Sequence, residues 1–267
     1  MTRITEPHTH VIIGDTQVKP GVPLDHLRWI GYYIADKYAT RPNTTIIQLG
    51  DWYDLPSLSW YDRGKKVMEG KRVRDDIQVG NDADEEFLAT MLAKGHHDSL
   101  RLIKLRGNHE DRLTRHYEEN PQLDGSLQDF TDAERWDEIV PFLEVRRLDG
   151  VAYSHYFYNP NTGRPYSGQS MDARLKTVGT AFTMGHQQGL MIGNRNVLGS
   201  LQWGLVLGST YLHDEEYKGP QGNTDFRGIV VAHNVKDGGY DPKIVSLESL
   251  CMRYEGKMLA QFIRGRR

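Results

Sequence analysis

Three short apolar segments, each ending at a glycine followed by polar side chains, constrain the fold of this 267-residue chain most strongly. They are HVIIGD (10–15), TTIIQLGD (44–51) and LRLIKLRGNHED (100–111), and each has the composition of a buried strand. Between the first two, residues 24–39 place apolar side chains at helical spacing. A strand–helix–strand unit of this kind generally joins parallel strands. The sequence therefore predicts an α/β fold in which the polar clusters lie together at the carboxyl ends of strands.

The remaining segments predict a mixture of helices and strands, and the second half of the chain is mainly β. Residues 82–99 predict a helix with an acidic first turn, 112–140 contain two shorter helical patterns, and 170–178 predict another short helix. The predicted strands of the second half are VAYSHYFY (151–158), TAFTMGHQQG (180–189), LQWGLVLGSTYL (201–212), FRGIVVAHNV (226–235) and one or two closing strands within 243–263.

Composition limits the classes of function. The net charge of −3 means that contact with nucleic acid requires a local basic patch. A single cysteine, Cys251, rules out an internal disulfide and indicates a reducing compartment. Residues 1–15 contain no signal-peptide core, and no apolar run is long enough to span a membrane. We therefore expect one cytoplasmic domain over 1–267, with no membrane and no obligate protein partner.

The polar clusters combine carboxylate, amide and imidazole side chains. Taken singly, an Asp after Gly usually serves a turn or a helix cap, and a lone His is usually structural. Converging from successive strand ends, such side chains supply mixed oxygen and nitrogen ligands for one or two divalent cations. The candidate residues are Asp15, Gln17, Asp51, Asp54, Asn108, His109, His155, His186 and Gln188.

These residues resemble the calcineurin-like metallophosphoesterases, whose pattern is D-x-H, G-D-x-x-D, G-N-H-E/D, a later single His and G-H-x-H. All five elements occur in this order within 15–188, with GDxxD and GNHE intact. The run GNHEDRLTRHYEENPQL (107–123) and the Asp172-Ala173-Arg174 segment resemble the branch that bacteriophages often encode, which would place the protein in host cytoplasm. The resemblance implies a sandwich of two mixed β-sheets flanked by helices.

The resemblance also implies a site with two divalent metal ions that share Asp51. It assigns Asp15, Gln17 and Gln188 to the first metal, and Asn108, His155 and His186 to the second. Because both glutamines stand where the family has histidine, we expect the first site to bind more weakly and to prefer Mn²⁺ or Mg²⁺ over Zn²⁺. We expect Mn²⁺ as the metal, with Mg²⁺, Fe or Zn²⁺ as alternatives.

The implied activity is hydrolysis of phosphodiester or phosphomonoester bonds through a metal-activated hydroxide. In this scheme His109 is the general acid and Asp54 orients it. We expect the substrate to be DNA, RNA or a nucleotide. The alternative hypothesis is a nucleic-acid-binding module that keeps the fold and one metal but has weakened catalysis.

Two segments stand out as insertions, one aromatic and basic at about 52–76 and one helical at about 112–140. Aromatic rings beside basic side chains can stack on bases and hold phosphates, so the first insertion favours a nucleic-acid substrate. The other interpretation is that its tryptophans belong to the core and its basic residues form a solvated loop. The candidate substrate-binding residues are Trp52, Tyr53, Arg106 and Arg112.

Overall fold

The computed structural model of the chain describes residues 7–93, 100–126, 129–215 and 218–265. The strands in these ranges are β1 (His8–Ile13), β2 (Thr44–Gln48), β3 (Leu100–Leu105), β4 (Glu138–Val140), β5 (Arg146–Leu148), β6 (Val151–Tyr153), β7 (Phe182–Met184), β8 (Leu190–Val197), β9 (Ser200–Leu207), β10 (Gly228–Lys236) and β11 (Gly239–Ser246). The α-helices are α1 (Asp25–Lys37), α2 (Val73–Leu92), α3 (Asp111–Glu119), α4 (Met171–Val178), α5 (Gly219–Gly222), α6 (Leu247–Glu255) and α7 (Leu259–Arg264).

The described strands form two mixed sheets. One has six strands in the order β11-β10-β1-β2-β3-β4, and the other has five in the order β5-β6-β7-β9-β8. Strands β1 to β4 run parallel to one another, whereas β10 pairs antiparallel with β1. In the second sheet β6, β7 and β9 are parallel, and β5 and β8 run antiparallel at its edges. The predicted α/β sandwich of two mixed sheets flanked by helices is confirmed.

The central strands are buried on both faces, which explains why their sequences are continuously apolar. Alternate side chains of a strand point to opposite faces. On β1, Val11 and Ile13 pack in a cluster that includes side chains of α1, α2 and α6, while Ile12 packs against Tyr153 and Leu205 of the second sheet. The six-stranded sheet is thus the middle layer, with helices on one side and the second sheet on the other.

The closing strand predicted within 243–263 is wrong beyond Ser246. Leu247, Leu250 and Cys251 are buried at helical spacing in α6, and the Ser246 side chain accepts a hydrogen bond from the Ser249 backbone N–H as its N-cap. The short apolar run fits either period, and packing against α1 selects the helix.

Two predicted helical regions also need correction. The helix predicted over 82–99 starts earlier, at Val73, because the buried side chains Ile77 and Ala83 extend its apolar face; residues 94–99 lie outside the described part. In the region 112–140, α3 is followed by short 3-10 turns and then by β4, which forms a strand because it pairs with β3. None of the helices in the described residues is sufficiently long and apolar to cross a membrane.

A buried ion-pair cluster joins the middle sheet to the helices. The Lys104 ammonium of β3 lies 2.7 Å from Asp84 of α2 and 3.1 Å from Asp132, and all three side chains are almost fully buried. It also lies 4.3 Å from the centre of the Trp52 ring. Buried charges of this kind are tolerated only while every partner is present.

We predict that Lys104→Ala destabilises the fold by roughly 3–5 kcal/mol, because it leaves the buried Asp84 carboxylate without its cation, while Asp132 keeps only Arg106. Urea unfolding measures the change. The matched control is Lys176→Ala, which removes an exposed lysine paired with Asp172 within α4 and is expected to change the free energy of unfolding little. Equal effects of the two substitutions would contradict the structural role of the cluster.

Candidate metal centre

The candidate site lies where the carboxyl ends of strands from both sheets meet. Asp15, Asp51 and Asn108 follow the adjacent parallel strands β1, β2 and β3. His155 and His186 follow β6 and β7, which are adjacent and parallel in the second sheet. Parallel pairing aligns these ends, and stacking of the sheets brings the two sets together.

Four of the predicted ligands converge on one point. The Asn108 Oδ1 atom lies 2.8 Å from His186 Nδ1 and 3.0 Å from His155 Nε2, and Asp51 Oδ2 lies 3.3 Å from His155 Nε2. The ligand atoms of Asp51, His155 and His186 all lie within 4.8 Å of one another. His155 Nδ1 contacts the Leu49 carbonyl oxygen at 2.8 Å, which directs Nε2 towards the cluster. These side chains could hold a metal ion.

The buried side chains of the cluster shift one another's pKa values. Burial disfavours the charged form of His155, but the nearby Asp51 carboxylate raises the pKa of this imidazole to about 9. Burial likewise opposes ionisation of Asp51, yet His109 and His155 hold its pKa well below the usual range. Burial and the neighbouring His155 lower the pKa of His186 to about 4, so its ring is neutral and suited to bind a metal.

Asp15 and Gln17 supply oxygen atoms that have no hydrogen-bond partner among the described residues. Asp15 Oδ2 and Gln17 Oε1 are both buried and unpaired, although Asp15 Oδ1 accepts a hydrogen bond from the His186 backbone N–H at 3.1 Å. Burial, together with the nearby Asp51 carboxylate, raises the pKa of Asp15 well above its usual value. Unpaired buried oxygens are costly, and a cation would satisfy both. The residues present therefore fit a first metal site.

Gln188 is placed differently from its predicted role. Its Oε1 atom accepts hydrogen bonds from Ser209 Oγ at 2.6 Å and from the Tyr211 hydroxyl at 2.5 Å. Both lone pairs of this oxygen are used, so the predicted role of Gln188 as a ligand does not fit this arrangement. The cause is the loop after β9, which brings two hydroxyl groups to the end of the MGHQQ segment.

Close backbone packing positions the ligands. A Cβ atom on Gly107 would lie 2.0 Å from Asp51 Oδ1, and one on Gly185 would lie 2.4 Å from Asp15 Oδ1. Asp51 and His186 adopt left-handed backbone conformations, with φ of 52° and 63°. Non-glycine residues rarely take this conformation, and strain of this kind is concentrated at functional sites.

The predicted acid His109 lies beside this cluster and is held from both sides. Its Nδ1 atom lies 2.9 Å from Asp54 Oδ1, and its Nε2 lies 3.0 Å from the Arg112 guanidinium and 3.8 Å from Asp51 Oδ2. Burial opposes protonation, but the Asp51 and Asp54 carboxylates raise the pKa of His109 above its ordinary value. The Lys19 ammonium, 2.8 Å from Asp54 Oδ2, fixes that carboxylate in turn.

The predicted substrate-binding residues are not all accessible. Trp52 and Tyr53 are 0% exposed, so their rings have no free face for a base, and this corrects their predicted role. They are buried because β2 leads them under α2, where the Trp52 indole N–H donates to the Gly80 carbonyl oxygen. Arg106 forms two 2.8 Å hydrogen bonds to Asp132, which also removes it from the site.

Arg112 lies beside His109 with its side chain 15% exposed, and two aromatic residues outside the predicted set are exposed. Arg112 lies against His109 and donates to the Asp54 carbonyl oxygen at 2.8 Å. In the segment after Asp54, Trp60 is 61% exposed and Tyr61 is 84% exposed. The interpretation that the tryptophans of this segment are core residues is therefore correct for Trp52 alone.

Glu110 holds two loops of the site together, a role that its position in the GNHE motif did not predict. Its carboxylate accepts backbone hydrogen bonds from Gly107 at 2.7 Å, from Tyr53 at 2.9 Å and from Asp51 at 3.0 Å. One side chain thus connects the loops that follow β2 and β3. The position of Lys19 was also missed, because an isolated lysine in a loop gives no sequence signal.

A second group that could hold a metal consists of His8, His10 and Asp149. It lies at the amino ends of β1 and β6, away from the cluster described above. The sequence contained one signal for it, the His-x-His spacing at the start of β1, where alternate side chains share a face.

We predict that Glu110→Gln destabilises the fold by about 2–3 kcal/mol and weakens metal binding, because an amide cannot accept all three backbone hydrogen bonds. Urea unfolding and metal titration measure the two effects. The control is Glu118→Gln at an exposed position of α3, which is expected to alter neither. Wild-type metal affinity in a correctly folded Glu110→Gln protein would show that this carboxylate does not position the ligands.

Comparison with known proteins identifies no family for this chain. No protein-family model matches the sequence, and no curated protein matches it. Among solved structures, the protein of unknown function AQ665 from Aquifex aeolicus is similar at 18% sequence identity, covering 68% of this chain and 80% of its own, with a TM-score of 0.30. At this level of similarity nothing about activity transfers, and the functional conclusion depends on the residues of the site.

Proposed function

We propose that the protein is a metal-dependent phosphoesterase that acts on nucleic acid or nucleotides. The observation that supports this most directly is the convergence of Asp51, Asn108, His155 and His186 beside an imidazole held by a carboxylate. A mixed nitrogen and oxygen ligand set, with unpaired buried oxygens next to it, is suited to divalent cations. When bound, the metals would activate the attacking water and neutralise charge on the phosphoryl oxygens.

His109 supplies the proton for the leaving group in this proposal. Asp54 holds its Nδ1 atom, which leaves Nε2 facing the cluster side, 3.8 Å from Asp51 Oδ2. The Asp51 and Asp54 carboxylates raise the pKa of His109, which favours the protonated imidazole that a general acid requires. In the contact seen here the Arg112 guanidinium donates to His109 Nε2 at 3.0 Å, so a protonated Nε2 would release this guanidinium to pair with a phosphoryl oxygen.

The exposed part of the segment after Asp54 supports a substrate that contains bases. Trp60 and Tyr61 present rings to solvent, and the Arg63 guanidinium lies 5.2 Å from the Trp60 ring centre. Exposed aromatic rings with an adjacent cation stack on bases without sequence preference. In this proposal Trp60 and Tyr61, rather than the buried Trp52 and Tyr53, stack on the bases.

The second candidate function is a nucleic-acid-binding module with weakened catalysis and one metal. The placement of Gln188 favours it, because this side chain is hydrogen-bonded to Ser209 and Tyr211 and leaves the first site with fewer ligands. The unpaired oxygens of Asp15 and Gln17 favour retention of that site. We therefore favour the phosphoesterase over the module that only binds nucleic acid.

We predict that the protein hydrolyses bis-p-nitrophenyl phosphate in the presence of Mn²⁺. The variants Asp51→Asn and His109→Ala are expected to lower kcat, and loss of a general acid typically costs on the order of 10²–10⁴-fold. The control is His233→Ala, because His233 on β10 lies beside the start of β1, at the opposite end of this strand from Asp15. It should retain wild-type kcat.

Absence of metal-dependent hydrolysis above the level of these two variants would overturn the enzyme proposal. Binding of single-stranded DNA under those conditions, lost on Trp60→Ala, would then establish the binding module. If hydrolysis depends on the metal but is unchanged in His109→Ala, the protein is a phosphoesterase in which His109 is not the general acid.

We further predict that the two metal sites differ in affinity. Titration with Mn²⁺ should show one tighter and one weaker binding event, because the first site has an amide oxygen in place of imidazole. Asp15→Asn should remove the weaker event alone, whereas His186→Ala should remove the tighter one. Two events of equal affinity, or loss of the tighter event in Asp15→Asn, would contradict this assignment.

A further inference from the structure

A cluster of two histidines and an aspartate lies at the end of the sandwich opposite the candidate metal centre. His8 and His10 are two residues apart on β1 and so point to the same face of the strand. Asp149 lies in the turn between β5 and β6, in the other sheet. These three side chains are remote from the ligands of the proposed phosphoesterase, which follow the opposite ends of β1 and β6.

The three side chains meet at one carboxylate oxygen. Asp149 Oδ2 lies 2.7 Å from His8 Nδ1 and 2.9 Å from His10 Nε2. The ligand atoms of all three residues lie within 4.8 Å of one another. The other ring nitrogen of His10, Nδ1, lies 2.7 Å from the Tyr153 hydroxyl.

We propose that His8, His10 and Asp149 form a separate Zn²⁺ site that links the two sheets. Two imidazole nitrogens and one carboxylate oxygen are a ligand set that zinc uses, with a water molecule completing four-coordination. The Tyr153 hydroxyl would accept the Nδ1–H of His10 and hold its ring with Nε2 towards the metal. The imidazole-rich set favours Zn²⁺, in contrast to the oxygen-rich first site of the candidate metal centre.

Burial gives the site one rigid side and one open side. His10 is fully buried, whereas the side chains of Asp149 and His8 are 26% and 41% exposed. An ion can therefore enter past His8, and the fourth coordination position faces solvent. To admit zinc bonds of about 2.0–2.1 Å, the ligand atoms must separate by roughly half an ångström, a shift that the partly exposed His8 and Asp149 side chains can make.

The turn that presents Asp149 is held in position before any ion binds. Asp149 has a left-handed φ of 48°, and its carbonyl oxygen accepts a 3.0 Å hydrogen bond from the Gly238 backbone N–H. A Cβ atom on Gly150 would lie 2.4 Å from the Gly238 nitrogen, so the two turns are in close contact. Because the turn is fixed, little conformational freedom is lost on binding.

Without zinc, protons occupy the same positions. His8 and His10 can each donate an N–H to Asp149, which makes the cluster a hydrogen-bonded link between the sheets. Zinc binding would displace these protons and replace two hydrogen bonds with coordination bonds. The hydrogen-bonded arrangement alone is the alternative that an experiment must distinguish.

The test uses the variant Asp51→Asn/His186→Ala, in which the candidate metal centre is disabled. After incubation with Zn²⁺ and desalting, we expect about one zinc per chain by mass spectrometry, as the single triad implies. Adding either His8→Ala or Asp149→Asn should remove this zinc. Asparagine tolerates the left-handed conformation and has the same size, and His8 is partly exposed, so both substitutions preserve the fold.

A thermal measurement and a matched control accompany the zinc analysis. At a zinc concentration about 100 times Kd, the melting temperature should rise by roughly 5–10 °C. The rise should be absent with His8→Ala and unchanged with His116→Ala, which removes a histidine of α3. Retention of zinc and of the rise in Tm after both His8→Ala and Asp149→Asn would overturn the proposal.

An anomalous-scattering map of zinc-soaked wild-type crystals tests the zinc site without requiring any variant to fold. A peak bonded to His8, His10 and Asp149 supports the site, and no peak there, with the side chains hydrogen-bonded to each other, refutes it. Because the phosphoesterase assay uses other residues, failure of either proposal leaves the other unaffected.

Discussion

The candidate site depends on one buried carboxylate, that of Glu110, which accepts three backbone N–H groups from two loops. The loop after β2 contains Asp51 and Asp54, and the loop after β3 contains Asn108 and His109. Glu110 replaces the water that would otherwise solvate these amides, and it sets the distance between the loops. Other contacts of the site, including the Asp51 hydrogen bond to the His109 backbone N–H at 2.9 Å, follow from this connection.

Buried charge is arranged in two layers around the six-stranded sheet. Behind the site, Lys104 and Arg106 neutralise Asp84 and Asp132 among aromatic rings, and this cluster belongs to the scaffold. Within the site, Asp15 and Asp51 are buried carboxylates that lie near each other, beside imidazoles and backbone amides. The scaffold cluster is satisfied by its own residues, whereas the site has unpaired oxygens. This difference separates a structural ion pair from a candidate metal centre.

Much of the fold could be predicted because local patterns and global packing agree in the first half of the chain. Continuous apolar strands and an intervening amphipathic helix are confirmed as β1, α1 and β2. The failure at 247–255 has a physical cause, since a short apolar run fits two periods. The partner available for packing decides between them, and it is distant in sequence.

The sequence by itself determined which side chains follow the strand ends and in which order they occur along the chain. It also indicated the pairing of His109 with Asp54, because both residues lie in intact motifs. The tertiary structure decided which side chains are in contact. His155 contacts the Leu49 carbonyl oxygen, 106 residues away in the sequence, and so lies beside the candidate ligands of the six-stranded sheet. The tertiary structure also directed Gln188 to two hydroxyls and buried Trp52. These contacts connect separate sheets and helices, and no local pattern encodes the hydrogen-bond partners that a side chain meets across such distances.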